Sequence, residues 1–493
     1  MTRMHLKTFS KLIALVFVAL LAVLQNIRAA EPEKKPNIVV ILADDFGWGS
    51  VGCYGGKGLK TPNMDRLAKE GRMFRHAYAT GSVCSPTRYA LMTGRYYWRT
   101  SVKDGKVLPG NGPLHIETNR VTLASLMKQN GYRTAVVGKW HLGLGLAEKT
   151  DFNAPLKPGP LSVGFDYFFG LPANIGNPPP IYVENEKMLE RKAGAPDPSQ
   201  NETKKQKKDF AAPADPTAVE VMPMLVKKSV QWIEENKAQP FFLYFAPTAI
   251  HEPIAPTPNF TGSPFGRYGD FIHELDWSVG EILKTLDKLK LADNTLVLFT
   301  ADNGGVARTE NPNAGAAMKA GLAINGSLRG GKHDIWEGGF REPFILRWPG
   351  KVPAGTTNDD IVSMTDVLAT FAGILKTKIP SGNAEDSFDV GSSWFGNGKP
   401  ARDYIVLQDA SANYAIRIGD WKLIERENAP AIPARNKKVA AAQAKKSEGG
   451  HDELFNLAED PGETKDVAAK HPNIANRLRQ QLAKTREQGF GRK

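Results

Sequence analysis

The sequence predicts an α/β protein: a large, mostly parallel central sheet flanked by helices, followed by a small C-terminal antiparallel sheet with a closing helix. Three observations predict it. From Pro36 onward, short apolar runs alternate with amphipathic helical patterns, as in a sheet whose crossovers are helices. The run Asn37-Ile-Val-Val-Ile-Leu42 is apolar at nearly every position, which fits a strand covered on both faces. After about Thr377 the alternation gives way to shorter segments, Asp403–Asp409, Tyr414–Ile418 and Trp421–Ile424, spaced as in an antiparallel sheet.

The elements follow in order. Thr61 stands as a helix N-cap, Pro62 takes the first helical position and Gly71 the stop, so 61–71 predicts a helix. Thr122 to Gly131 repeats the same cap and stop. Strands are predicted at Thr134–Val137, Phe241–Phe245, Thr295–Thr300 and Pro343–Trp348, and helices at Glu220–Asn236, Phe271–Leu289 and Pro472–Glu487. Asn177 to Pro216 is rich in Pro, Lys and Ala without periodicity and reads as a surface insertion. Asn436–Gly450 is low in complexity. The expected organisation is a leader over 1–30, a main domain over 31–377 and a C-terminal subdomain over 378–493.

The leader has the form of a secretory signal. Arg3, Lys7 and Lys11 precede an apolar run from Leu12 to Leu24, and Ala29 and Ala30 close it. At about thirteen residues the run falls short of the roughly 20 that span a bilayer. Export with cleavage is therefore expected, to the periplasm or beyond the cell, with an uncleaved anchor as the alternative. No other segment approaches spanning length, so no membrane span is expected after cleavage.

Composition sets further bounds. With 41% apolar and 24% charged residues, a large core is possible and a fibrous or wholly disordered chain is excluded. Net charge is +12; without the four basic residues of the leader it is +8. A basic balance suits a polyanionic substrate, although the Lys-rich stretches 187–208 and 437–446 hold much of it. No nucleic-acid partner is expected. Cys53 and Cys84 are the only cysteines, which excludes a disulfide scaffold and leaves one Cys53–Cys84 bridge open.

The chemistry gathers at predicted strand tips, where open α/β sheets bind their ligands. Asp44 and Asp45 follow the first strand; Lys139 and His141 follow the strand ending near Val137; His251 follows Phe241–Phe245; Asp302 and Asn303 follow Thr300. One such group could be a surface charge or a turn residue, but four tips so furnished point to a site. Asp44, Asp45, Asp302 and Asn303 offer oxygen donors only, which select a hard cation and suit calcium better than magnesium. In Val83-Cys84-Ser85-Pro86-Thr87-Arg88, Pro86 marks a helix start and Gly94 its end. Cys84 then lies at a helix N-terminus, where free N–H groups attract an anion, and Arg88 sits one turn on. A small buried cysteine beside a cap is the alternative.

Rival motifs fail. Gly326-Ser-Leu-Arg-Gly-Gly331-Lys332-His333 nearly makes a phosphate loop, but His333 stands where Ser or Thr must hold magnesium. His273-Glu274 lacks the second His of a zinc-protease helix, and no G-x-S-x-G elbow is present. Asn201, Asn259 and Asn325 head glycosylation-type triplets.

Two longer patterns carry a family resemblance. Cys84-Ser-Pro-Thr-Arg88 with Leu91-Met-Thr-Gly94, and Gly131-Tyr-Arg-Thr-Ala-Val-Val-Gly-Lys139-Trp-His141, look like the two signatures of the formylglycine-dependent sulfatases of arylsulfatase type, in the alkaline phosphatase-like superfamily. The chain resembles them from Asn37 to the stretch Glu453-Leu-Phe-Asn-Leu-Ala-Glu-Asp-Pro-Gly-Glu463. The resemblance implies that a maturation enzyme oxidises Cys84 to formylglycine. It implies that one calcium ion is held by Asp44, Asp45, Asp302, Asn303 and the modified residue 84. Arg88, Lys139, His141, His251 and Lys332 would surround the sulfate of a sulfated glycan or small molecule.

In the implied reaction one hydroxyl of the hydrated aldehyde attacks sulfur, His251 with Lys332 assists the leaving alcohol, and His141 takes the proton of the second hydroxyl as sulfate departs. The tract Arg95-Tyr-Tyr-Trp-Arg99 offers either an aromatic floor for sugar rings or packing. The competing functions are a phosphodiesterase or phosphonate monoester hydrolase of the same superfamily, and a non-catalytic binder of sulfated glycans. Because serine lacks the second hydroxyl, Cys84→Ser is expected to abolish turnover and at best to trap a sulfated adduct, visible as added mass on the intact protein.

Overall fold

Strand Asn37–Ala43 is the pivot of the sheet, pairing in parallel with Phe241–Ala246 on one side and Thr295–Ala301 on the other. The computed structural model describes residues 34–177, 180–189, 217–396, 398–425 and 451–489. The leader, most of the expected insertion and the 436–450 stretch lie outside the described residues. From one edge the 10-stranded sheet runs Thr356–Asn358, Arg72–Phe74, Phe344–Arg347, Thr295–Ala301, Asn37–Ala43, Phe241–Ala246, Arg133–Lys139, Tyr167–Leu171, Val183–Glu184, Lys187–Met188. The centre is parallel. Phe344–Arg347 runs antiparallel to both its neighbours.

The apolar run of the first strand divides by period two, as pleating requires. Ile38, Val40 and Leu42 enter one core with helices Cys84–Thr93, Leu123–Gln129 and Asp366–Ile374. Val39, Ile41 and Ala43 enter another with helices Pro62–Glu70, Ala218–Asn236 and Gly266–Lys288. The sheet is thus the middle of three layers. Among the described residues no helix is long and apolar enough to cross a membrane.

The C-terminal region forms a four-stranded antiparallel sheet, Tyr404–Gln408, Tyr414–Ile418, Trp421–Ile424 and Glu453–Asn456, with helix Pro472–Glu487. One face packs on that helix together with Tyr96 and Trp98. The other face packs on Tyr78, Ile335 and Phe340 of the main body. Arg95-Tyr-Tyr-Trp-Arg99 is therefore packing and not a sugar-binding floor: Tyr96, Tyr97 and Trp98 are buried, and Arg99 stacks 4.3 Å over Trp98 while pairing with Asp386 at 2.8 Å.

Three further local features bear on the expectations. Inside the expected insertion, Val183–Glu184 and Lys187–Met188 form a hairpin on the sheet edge. Cys53 and Cys84 are both free, so the single bridge left open by counting is absent. Thr61 does not cap its helix through its side chain. Its hydroxyl accepts the Gly52 N–H at 2.9 Å, and the cap comes from Asp276, 213 residues beyond Asn63.

Asp276 accepts the N–H groups of Asn63 (3.1 Å) and Met64 (2.9 Å) and the Asn63 side-chain amide (2.8 Å). Removing the carboxylate would strand two helix-terminal donors in a buried place. Asp276→Ala is expected to lower the unfolding free energy by about 1–3 kcal/mol, measured by urea denaturation. A change within error would mean that water or Thr61 takes over the cap.

Candidate functional site

The expected site residues converge where the parallel strands end. Helix Cys84–Thr93 begins two residues before the position that Pro86 suggested, with Val83 extended at its N-cap and Gly94 left-handed at its end (φ 63°). Pro86 remains compatible because first-turn N–H groups have no partner within the helix. Cys84 is 1% exposed. Its Sγ lies 3.5 Å from Asp44 Oδ1 and 3.9 Å from Asp45 Oδ1.

Each carboxylate in this group meets a buried cation. Lys139 Nζ donates to Asp44 Oδ2 at 2.7 Å, and Lys332 Nζ to Asp45 Oδ2 at 2.7 Å. Arg88 donates through Nε (3.0 Å) and Nη2 (2.7 Å) to Asp302 Oδ2, and through Nη1 to the Lys139 carbonyl (3.0 Å). Local backbone geometry aims these groups. Gly138, at φ 125°, allows strand Arg133–Lys139 to lie so close to its neighbour that a Cβ there would sit 1.9 Å from the Ala246 carbonyl oxygen. Asp45 (φ 56°) and His141 (φ 57°) hold left-handed conformations, the kind of local strain that collects at functional sites.

Burial and neighbouring charges divide the acids. Burial would raise the Asp45 carboxyl, but Lys332, His251 and Lys139 outweigh it and hold Asp45 well below the usual range. Burial and the adjacent Asp44 push Asp302 up despite Arg88. The Cys84 thiol is pushed up by burial, so it is protonated at neutral pH. Burial, with Lys332 and Lys139, brings His251 down to about 4. His251 Nδ1 faces the Glu252 carbonyl at 2.6 Å, and its Nε2 lies 3.7 Å from Asp45 Oδ2. His141 is lowered by burial and by Lys139 and Arg88; its Nε2 meets the Leu108 carbonyl at 2.9 Å, leaving Nδ1 buried without a hydrogen-bond partner among the described residues.

The donor set fits a cation. One ligating atom each from Asp44, Asp45, Cys84 and Asp302 falls within 4.8 Å of the others. Asn303 donates Nδ2 to Asp45 Oδ1 (2.9 Å) and to the Gly304 carbonyl (3.0 Å), which leaves its buried Oδ1 without a hydrogen-bond partner among the described residues. A buried oxygen left bare beside three carboxylates is what a hard cation would satisfy. His251 groups with Asp45 and Cys84 within the same span, so one nitrogen donor borders the oxygen set.

The sequence-level reading missed Glu342. Its carboxyl is fully buried with neither oxygen hydrogen-bonded among the described residues, and burial together with Asp302 and Asp45 pushes it well above the usual range. The signal was topological. Phe344–Arg347 is antiparallel, so its N-terminal end lies beside the C-terminal tip of Thr295–Ala301. Asn325, by contrast, is no glycan acceptor: it is 3% exposed and bonded to the Gly305 and Gly330 backbones.

The sulfatase family model matches residues 36–377, a span that contains every one of the expected site residues and Glu342. The chain belongs to the sulfatase family. Its relatives include an N-acetylgalactosamine-6-O-sulfatase of Bacteroides thetaiotaomicron, 37% identical over 91% of this chain and 93% of that one. The N-acetylgalactosamine-6-sulfatase of Canis lupus familiaris is 31% identical over 88% and 82%. A solved structure from glycosaminoglycan metabolism by Bacteroides thetaiotaomicron superposes with a TM-score of 0.82 at 35% identity, covering 92% of this chain and 99% of that chain. The sulfatase is thus a sulfuric ester hydrolase of the formylglycine-dependent, alkaline phosphatase-like group, a family that uses a metal ion.

Within this sulfatase, Arg88 is the counter-charge of a buried aspartate. Arg88→Met is expected to cost about 3–5 kcal/mol of stability, because Asp302 is left buried without its pair. Urea denaturation in EDTA measures it. A loss below about 1 kcal/mol would show that the pairing contributes little to the fold.

Proposed function

We propose that this sulfatase is exported and hydrolyses sulfate esters of carbohydrates, with 6-O-sulfated N-acetylgalactosamine as the first substrate to try. The observation that carries the reading is the ring of fixed cations, Arg88, Lys139 and Lys332, around Cys84. The sugar is suggested by the two N-acetylgalactosamine-6-sulfatase relatives, and export by the leader. Residues 31–377 would form the catalytic domain and 378–493 its subdomain, with a formylglycine-generating enzyme as a transient partner.

Asp44, Asp45, Asp302, Asn303 and residue 84 would hold calcium, which when bound supplies Lewis-acid polarisation of the ester. Formylglycine at position 84 would supply a nucleophile whose second hydroxyl allows release.

The chain's own side chains do the rest. Arg88, Lys139 and Lys332 offset the negative charge that otherwise repels a nucleophile from a sulfate monoester. Burial would lower the Lys332 ammonium, but Asp45 holds its pKa above the usual lysine value, so Lys332 carries the proton available to the leaving alcohol. His251 is neutral at pH 7, with Nδ1–H donated to the Glu252 carbonyl, so Nε2 presents a lone pair that can relay that proton. His141 donates Nε2–H to Leu108 and keeps a bare Nδ1, which suits it to accept a proton. The side chains thus divide into proton donor, relay and base, each at a stated atom.

Two measurements test this reading. Protein from a host with the maturation enzyme is expected to show aldehyde or its hydrate at residue 84 in the tryptic peptide His76–Arg88, and to release sulfate from the 6-O-sulfated sugar. Aldehyde without release from any sulfated sugar, but with turnover of a phosphodiester or phosphonate monoester, would move the assignment to that activity. Calcium is expected to raise the melting temperature of EDTA-treated protein, and Asp45→Asn to remove the shift. No shift in the parent protein would count against the calcium assignment.

A further inference from the structure

Lys422, in strand Trp421–Ile424, is fully buried. Its Nζ donates to the Ile335 carbonyl (3.0 Å) and pairs with Glu337 Oε1 (3.1 Å) and Glu463 Oε1 (2.8 Å). Glu463 is buried as well. Its Oε2 accepts the Glu337 N–H (2.6 Å), and its backbone carbonyl accepts Arg329 Nη1 (2.6 Å). Glu337 also accepts the Tyr78 hydroxyl (2.6 Å).

These contacts grip one segment at two places. Arg329 is held on one side, Ile335 and Glu337 on the other, and Lys332 lies midway between Arg329 and Ile335. The segment has little regular structure of its own, being turns up to the short helix Glu337–Phe340. Its own backbone bonds, Lys332 N–H to the Gly305 carbonyl (3.1 Å) and His333 N–H to the Ser82 carbonyl (2.9 Å), seat it beside the Cys84 loop. A long flexible lysine can serve an anion site only if its backbone origin is fixed.

We propose that Lys422 and Glu463 are positioning residues of the sulfatase reaction: they clamp the 329–337 segment from the C-terminal sheet and so fix the Lys332 ammonium in the anion site. This rests on the proposed role of Lys332. A buried ionic clamp that served only stability would affect every variant of the protein alike. One that acts through Lys332 loses its effect on turnover when Lys332 is gone.

The test is a double-mutant cycle on matured full-length protein, measuring kcat/KM for sulfate release. Glu463→Gln keeps the shape and an acceptor for the Glu337 N–H while removing the charge facing Lys422. It is expected to lower kcat/KM by about tenfold to a hundredfold in the parent, and to have almost no effect in a Lys332→Ala background. Lys422→Met is the companion variant; should it fail to fold, Glu463→Gln carries the test alone, with a melting curve confirming the native state. Equal losses in both backgrounds, or no loss in either, would overturn the positioning role while leaving the anion site intact. If Lys332→Ala itself turns over at the parental rate, the reading of Lys332 fails and the clamp has nothing to position.

Discussion

Three carboxylates and three fixed cations share one buried volume at the strand tips, and neither set is tenable there without the other. A lone buried ion costs several kcal/mol even after relaxation. Here Asp44, Asp45 and Asp302 face Lys139, Lys332 and Arg88 at 2.7 Å each. The cations arrive from three separate parts of the chain: a helix, the end of a central strand and a turn-rich segment near residue 332. The pairing therefore constrains the long-range topology. The sheet order, the close approach at Gly138 and the docking of the Cys84 helix must all be met for the charges to balance.

Under the proposed mechanism the same balance would set up reactivity. The 2.7 Å ion pairs use Asp44 Oδ2, Asp45 Oδ2 and Asp302 Oδ2, while Asp44 Oδ1, 3.8 Å from Arg88 Nη2, and Asp45 Oδ1 lie nearest the Cys84 sulfur. An arriving dianionic or monoanionic group would compete for cations already held in place, so little reorganisation is needed at the moment of reaction. The two buried histidines add proton acceptors of low basicity, which suits groups that take up protons only transiently.

Much of this was legible in the sequence because it rests on local grammar. Apolar runs marked the central strands, and polar residues just past them marked the tips, so Asp44, Asp45, Lys139, His141, His251, Asp302 and Asn303 could be placed in space without coordinates. Lys332 was legible only through the family resemblance, because the near-phosphate loop that holds it fails as a motif of its own. What was illegible depends on partners far apart in the chain. Arg72–Phe74 and Thr356–Asn358 are too short for a periodic signal and exist by pairing with each other and, for Arg72–Phe74, with Phe344–Arg347. Thr61 has the right residue type for a cap, but Gly52 had already engaged it. Glu342 needed the direction of one strand, and the Lys422–Glu463 pair needed the docking of one sheet on another.

That docking also bears on how the protein could be recombined. One face of the C-terminal sheet shares a core with Tyr78, Ile335 and Phe340, so apolar surface from both sides of residue 377 disappears into a single interior. A chimera joined at that position would pair an inherited face with a foreign one, although the family match itself ends there. The heritable block is larger than the region the family model matches: the small sheet travels with the segment it covers, or neither half finds its fit.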